Sequence, residues 1–471
     1  MRYVFILLLG LSSFTMQAQT SLSQKIQWAY ERLLADPQMN YASASLTVLN
    51  AENGQVIFSK NGNVGLAPAS TLKTVTAATA FHLLGTEFKY ETSLAYTGTL
   101  SANGILDGDV LIIGGGDPSL GSWRYDATQT KVVLSKWLEA LQKLGIKEIK
   151  GSIIADDHLF GTQITPDGWI WQDIGNYYGG GATSLSWYEN QFDVYFKPGA
   201  KVGDPVTMKQ VVPDMPYLKL INEVKTGAAG TGDKVFVYAA PYSDLLYLRG
   251  TYALDLTKPV APAIPDPAFD VAYRLADTLK DSSISLKQGI TTWRRINLER
   301  PWSIPKHLII YSQASPKLSE LVYWFNRKSI NLYGENFLKT FAWKQGKSIA
   351  TTDGAAVLKN FWKERLGIDP NSMNIGDGSG LSPANRITTL TMAKILQSAQ
   401  KESWYAPFYE SLPVYNDMKM KSGSIADVLA YAGYHKNRSG KQLVFSFIIN
   451  NYNGSTSAIR QKMFKVLDEL K

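Results

Sequence analysis

The chain of 471 residues has no cysteine. That absence excludes a disulfide framework, a thiolate zinc or iron–sulfur site and a cysteine nucleophile. Histidine is almost missing as well: His82, His158, His307 and His435 stand far apart with no HxxxH pair, so no metal site is expected. Charged residues are only 19% of the chain, and Lys and Arg exceed Asp and Glu by just 48 to 40. The resulting +8 is scattered, with no basic run longer than Arg294-Arg295 or Arg327-Lys328. A nucleic-acid binder concentrates such charge in a stripe or tail, so no nucleic-acid partner is expected. Repeats and low-complexity tracts are absent too. Nucleophilic chemistry, if there is any, must use an oxygen or an amine.

What is present is a chain 45% hydrophobic and 12% aromatic, enough for the cores of roughly two to four domains. The N-terminus has Arg2, an apolar run from Val4 to Leu11, and then Met16-Gln17-Ala18. This three-part layout reads as a secretory signal peptide over 1–18, cleaved after Ala18. No later segment reaches the roughly 18 apolar residues of a membrane span. The expectation is an exported protein with no transmembrane segment once the signal is removed.

Apolar periodicity predicts a helix at 22–36 and a hairpin of strands 45–49 and 55–58. A buried helix over 70–84 follows, stopped by Gly85. From about 90 to 300 short strands and glycine-rich turns dominate, including Gly114–Gly116 and Gly179–Gly181. Helical patterns return at 268–279, 318–325, 333–343, 355–366 and 390–401. Strands at 430–435 and 443–449 and a helix at 456–470 close the chain. Hairpin and helix at both ends around a β-rich middle suggest an α/β domain with a long insertion.

Three short motifs carry chemistry. In Pro68-Ala69-Ser70-Thr71-Leu72-Lys73, a serine and a lysine lie one helical turn apart. A helix N-terminus favours developing negative charge, and a desolvated lysine can take a hydroxyl proton. Ser329-Ile330-Asn331 precedes the 333–343 helix and offers a hydroxyl proton shuttle and an amide, or simply an N-cap. In Lys421-Ser422-Gly423-Ser424, lysine and hydroxyl can bind a carboxylate while glycine lets a substrate backbone approach, unless the string is a plain polar turn. Ser379, in Asp377-Gly-Ser-Gly, fits no nucleophile elbow and reads as a tight loop. The cluster Trp169, Trp171, Tyr177, Tyr178, Trp187 and Tyr188 suits either a core or stacking on sugar rings.

The ordered set SxxK, SxN, K[ST]G resembles the active-serine signature of penicillin-binding proteins and serine β-lactamases. Between Ser70 and Ser329 lies a gap far longer than a single-domain β-lactamase has. That gap, with the flanking Gly115-Gly-Asp-Pro-Ser119, Asp156-Asp157 and Asp377-Gly-Ser-Gly-Leu-Ser382, resembles the D-alanyl-D-alanine carboxypeptidase/endopeptidase family, the class C low-molecular-mass penicillin-binding proteins. The likeness covers essentially the whole mature chain. Two departures stand out: Ser-Ile-Asn for the commoner Ser-Asp-Asn, and Lys-Ser-Gly for Lys-Thr-Gly. Both keep the functional groups.

The resemblance implies an α/β penicillin-binding/β-lactamase-like transpeptidase fold, an antiparallel sheet flanked by helices, over 20–95 and 300–471. Two smaller β-rich domains would be inserted, one over 96–203 and 266–299, the other over 204–265. It implies a periplasmic serine DD-peptidase acting on peptidoglycan stem peptides, acylated by β-lactams, with no cofactor and no metal. Ser70 would be the nucleophile and Lys73 its base. Ser329, aided by Lys421, would pass a proton to the leaving amine, and Asn331 would hold a substrate amide. Ser422 would bind the terminal carboxylate, with Gly423 and Ser424 beside it, and the backbone N–H groups of Ser70 and Ser424 would form the oxyanion hole. Asp156 or Asp157 would meet the ammonium of the stem's diamino acid. The rivals are a β-lactamase, which differs in how fast the acyl-enzyme hydrolyses, and a catalytically silent peptidoglycan-binding scaffold.

Overall fold

The protein is represented by a computed structural model that describes residues 21–471. The expected signal segment, 1–18, lies outside the described residues.

The two ends of the chain build one sheet. Strands Val56–Lys60, Ser43–Asn50, Gln442–Asn450, Val428–Lys436, Met418–Ile425 and Val414–Tyr415 lie side by side in that order, all pairs antiparallel. Strand 442–450 explains why this order is stable. Leu443, Phe445, Phe447 and Ile449 point to one face, and Val444 and Ile448 to the other. A strand buried on both faces needs a continuous apolar run, which Leu443–Ile449 supplies, broken only by the buried Ser446.

Helices Leu22–Leu34 and Thr456–Leu467 cover the first face through Ile26, Tyr30, Leu33 and Met463. The second face is covered by Leu72–Leu84, Asn331–Lys344 and Thr389–Ala399, the layer that carries the site. In helix 72–84 every residue from Leu72 to Phe81 is buried. Gly85 ends it with φ +82, a conformation glycine adopts without penalty.

Between these halves lies a five-stranded sheet, Ile290–Thr292, Ile153–Asp156, Val110–Ile113, Glu91–Thr97 and His307–Ala314, in that order. Helices Thr130–Lys143 and Pro267–Lys280 pack on it through Val133, Trp137, Leu141, Val271 and Leu275. Strands 91–97 and 307–314 pair with this sheet and not with the terminal one. The expected boundaries at 95/96 and 299/300 therefore correct to about 90 and 315 by backbone pairing. A third apolar cluster runs from Phe192 to Ile264 around strands Asp233–Tyr238 and Leu245–Ala253. Its first hairpin, Asp193–Lys197 with Thr207–Val212, straddles the expected boundary at 203/204, so that unit begins near 192.

Candidate active site

Ser70 stands in a single 3-10 turn, Ala69–Thr71, that runs directly into helix 72–84. Ala69 has φ +44, a left-handed value unfavourable for a residue with a side chain. Such strain persists only where the surroundings impose it. Here two glycines do. A Cβ on Gly423 would lie 2.7 Å from Pro68 O and from Ser70 N, and one on Gly380 would lie 1.9 Å from Ala69 O. The strand 418–425 and the loop 376–385 both press on the serine turn, and a side chain at either position would push it away.

One turn along, the fully buried Lys73 is held by three acceptors. Its Nζ donates to Ser70 Oγ at 3.0 Å, Asn331 Oδ1 at 2.6 Å and Ser379 O at 2.7 Å. Burial first, then the charge of Lys421, push its amine well below the usual lysine range; Asp377 and Glu335 pull the other way. Once it loses its proton, the amine can keep its bonds to Asn331 and Ser379 and turn its lone pair to the Ser70 hydroxyl, the geometry a base needs. Lys421 is buried too, and burial lowers it to about 7. Its Nζ donates to Ser422 O at 2.9 Å.

Around Lys73 stand two buried acids to which sequence reasoning gave no site role: Asp377, quoted only within its tight loop, and Glu335, not singled out at all. Asp377 accepts from Gly380 N at 2.7 Å, Ser382 N at 2.6 Å, Asn385 Nδ2 at 2.9 Å and Trp169 Nε1 at 2.9 Å. Those four bonds fold the loop that presents Ser379 O to Lys73. Glu335 accepts from Gly378 N at 2.9 Å, and burial, then Asp377, raise its carboxyl to about 8. The tight loop read from Asp377-Gly-Ser-Gly is present, closed by Gly380 N on Asp377 Oδ1 with Gly380 at φ +83. The role of the Ser379 carbonyl could not be read, because every residue has one.

Ser329 has φ +57, again strained, and faces the same cleft as Ser70. It is not among the partners of Lys73 or Lys421, so the expected relay through Ser329 is not joined by hydrogen bonds here. Asn331 opens its helix and spans two segments, with Oδ1 on Lys73 and Nδ2 donating to Tyr178 O at 2.7 Å. Its amide thus serves the protein first. The cleft encloses about 680 Å³ and is lined by Ser70, Ser329, Asn331 and Ser424, with Ile170, Tyr178 and Phe236 from the inserted segments. Lys421, Ser422 and Gly423 are not part of that lining; Ser422 lies half-buried on the same strand, two residues before Ser424.

Asp156 and Asp157 also stay out of it. Asp156 is buried and accepts from His158, whose Nδ1 lies 2.8 Å away. Asp157 is buried beside Asp266 and Asp156, and burial raises it to about 7. Both carboxylates are buried within the insertion, and neither is brought to the cleft where substrate contact was expected of one of them. Of the aromatic cluster, Trp169 and Trp187 are core, whereas Trp171 and Tyr177 are exposed. Among the described residues no group of His, Cys, Asp and Glu could hold a metal ion.

The profile of the D-Ala-D-Ala carboxypeptidase 3 (S13) family matches residues 26–470. The chain belongs to that family. It is 24% identical over 475 residues to the D-alanyl-D-alanine carboxypeptidase of Actinomadura sp. strain R39, covering 95% of this chain and 85% of that one. The D-alanyl-D-alanine carboxypeptidase DacB of Haemophilus influenzae is 23% identical over 433 residues, covering 86% and 84%. The crystal structure of penicillin-binding protein 4 from H. influenzae superposes with a TM-score of 0.79 at 21% identity, covering 94% of this chain and 99% of that one. The fold is therefore that of a penicillin-binding protein, and membership of the S13 family makes the chain a serine peptidase, a D-Ala-D-Ala carboxypeptidase by class.

Proposed function

We propose that this S13 peptidase works through an acyl-enzyme on Ser70, in a cleft shared by the terminal domain and the inserted units. The observation that carries this reading is the buried Lys73 amine 3.0 Å from Ser70 Oγ. Ser70 Oγ adds to the carbonyl carbon of the penultimate D-Ala while its proton passes to Lys73 Nζ. The oxyanion takes the backbone N–H groups of Ser70 and Ser424; losing such a donor typically costs about 10²–10³ in rate. As the C–N bond breaks, the departing D-Ala nitrogen takes a proton, with Ser329 and Lys421 on that path. Water then hydrolyses the ester and frees Ser70. Lys421 and Ser422 are assigned to the terminal carboxylate, reached once substrate enters over Ser424.

The substrate is a peptidoglycan stem peptide, cut as a carboxypeptidase or across D-Ala–diamino acid cross-links as an endopeptidase. β-Lactams acylate Ser70 for the same reason, since their amide presents the same carbonyl; the H. influenzae penicillin-binding protein 4 is known in complex with one. Peptidoglycan lies outside the cytoplasmic membrane, so the work place is the periplasm, in keeping with the signal layout at 1–18. Mass spectrometry of muropeptides after incubation with wild type and Ser70→Ala tests the reading. Loss of D-Ala from pentapeptides, or splitting of cross-linked dimers, is expected from wild type alone. Equal digestion by both proteins would refute it.

A further inference from the structure

Two of the three acceptors that hold Lys73 are themselves held from the insertion. Ser379 O belongs to the loop 376–385, and that loop is pinned from outside by the Trp169 indole N–H on Asp377 Oδ2 at 2.9 Å. Asn331 Oδ1 is aimed by the Nδ2–H on the other end of the same amide, which donates to Tyr178 O at 2.7 Å. Trp169 and Asp377 are both buried, so this is an interior hydrogen bond and costs more to lose than a surface one. The backbone on either side is fitted just as closely. A Cβ on Gly168 would lie 2.5 Å from Ser382 Oγ, so the turn before Trp169 rests on the same loop. Only Ser70 Oγ, the third acceptor, comes from the lysine's own turn and helix.

We infer that the inserted segment Trp169–Tyr178 is a positioning element for Lys73, through Trp169 on the 376–385 loop and Tyr178 O on Asn331. The insertion is then part of the acylating machinery and not only a wall of the cleft. This rests on the reading of Ser70 as nucleophile and Lys73 as its base. The groups facing Lys73 are Lys421 from the strand 418–425, Glu335 from the helix 331–344 and Asp377 from the loop. Loosening the loop admits water to Lys73 and relieves the burial that chiefly lowers its proton affinity, so the base is neutral only at higher pH.

Trp169→Phe keeps the ring and removes the N–H. Gly168→Ala disturbs the same contact from the neighbouring residue, and Trp137→Phe, in the insertion core, is the control. Acylation by a fluorescent penicillin is followed against pH, with thermal melts alongside. Trp169→Phe and Gly168→Ala are expected to acylate about 10- to 100-fold more slowly, with the acid limb displaced to higher pH, while Trp137→Phe keeps the wild-type profile. Wild-type rates and an unmoved acid limb in both test variants would overturn the inference, as would an equal loss in Trp137→Phe. Should Trp169→Phe not fold, Gly168→Ala decides alone. An unlabelled wild type would sink the acyl-serine reading itself and this inference with it.

Discussion

Lys421 is a lysine with no ion pair of its own among the described residues, buried beside a second lysine that must lose its proton to act. Burial alone lowers it to about 7, so below that pH it carries a charge that Lys73 feels. That charge holds the Lys73 amine down. In Lys421→Met the repulsion is gone at every pH, and Lys73 should keep its proton longer as pH rises. The acid limb of the acylation profile is expected to move to higher pH, besides any loss of maximal rate. A limb that stays in place, or moves to lower pH, would mean that Lys421 does not tune the base. At this scale the sequence was informative wherever chemistry depends on side-chain type. Ser70 and Lys73 meet as their spacing predicts, and Asn331 joins them. Ser379 O, Tyr178 O and the close packing of Gly423 on the serine turn could not be read, because they are properties of backbone brought together from 100 or more residues away.

Elements were legible in proportion to how local their pattern is. The helices at 268–279 and 390–401 are found at Pro267–Lys280 and Thr389–Ala399, within two residues at each end. The helix 130–143 was not predicted, although Val133, Trp137 and Leu141 recur every four residues. The glycine clusters on both sides made the whole stretch read as strands and turns. Strands 91–97 and 307–314 show the other limit: sheet partners 200 residues apart leave no mark on local pattern. One junction of elements is held by charge. Asp266 caps helix 267–280 through Phe269 N and takes Arg294 at 3.0 Å and Arg295 at 3.3 Å, with its side chain only 7% exposed. Removing one partner of a buried pair leaves the other charge uncompensated, at a cost of about 3–5 kcal/mol. Asp277 pairs with Lys280 on the same helix in the open, where such pairs contribute about 0–1 kcal/mol. Asp266→Ala should therefore lower the urea midpoint clearly and Asp277→Ala hardly at all. Equal shifts would mean that the buried pair does not hold the junction.

At the scale of the whole molecule, the site and its surroundings collect ionisable groups that burial holds in their neutral forms. Asp117 is raised to about 6, Asp157 to about 7 and Glu335 to about 8, while Lys421 is lowered to about 7 and Lys339 to about 8. For the acids, the unfolded chain loses its protons near pH 4 while the folded chain keeps them, so stability falls as pH rises towards 6–8. For the lysines, the unfolded chain holds protons that the folded chain has released, so stability rises with pH from about 7 towards the ordinary lysine range. The contribution of these five groups to stability is therefore smallest around pH 7–8. Glu335→Gln isolates one contribution, because glutamine can still accept from Gly378 N without an ionisable proton. Relative to wild type, the variant is expected to gain stability steadily between pH 5 and 8, by up to about 1.4 kcal/mol per pH unit. Urea unfolding at each pH measures this, and a difference that stays constant over the range would show that Glu335 titrates alike in the folded and unfolded chains.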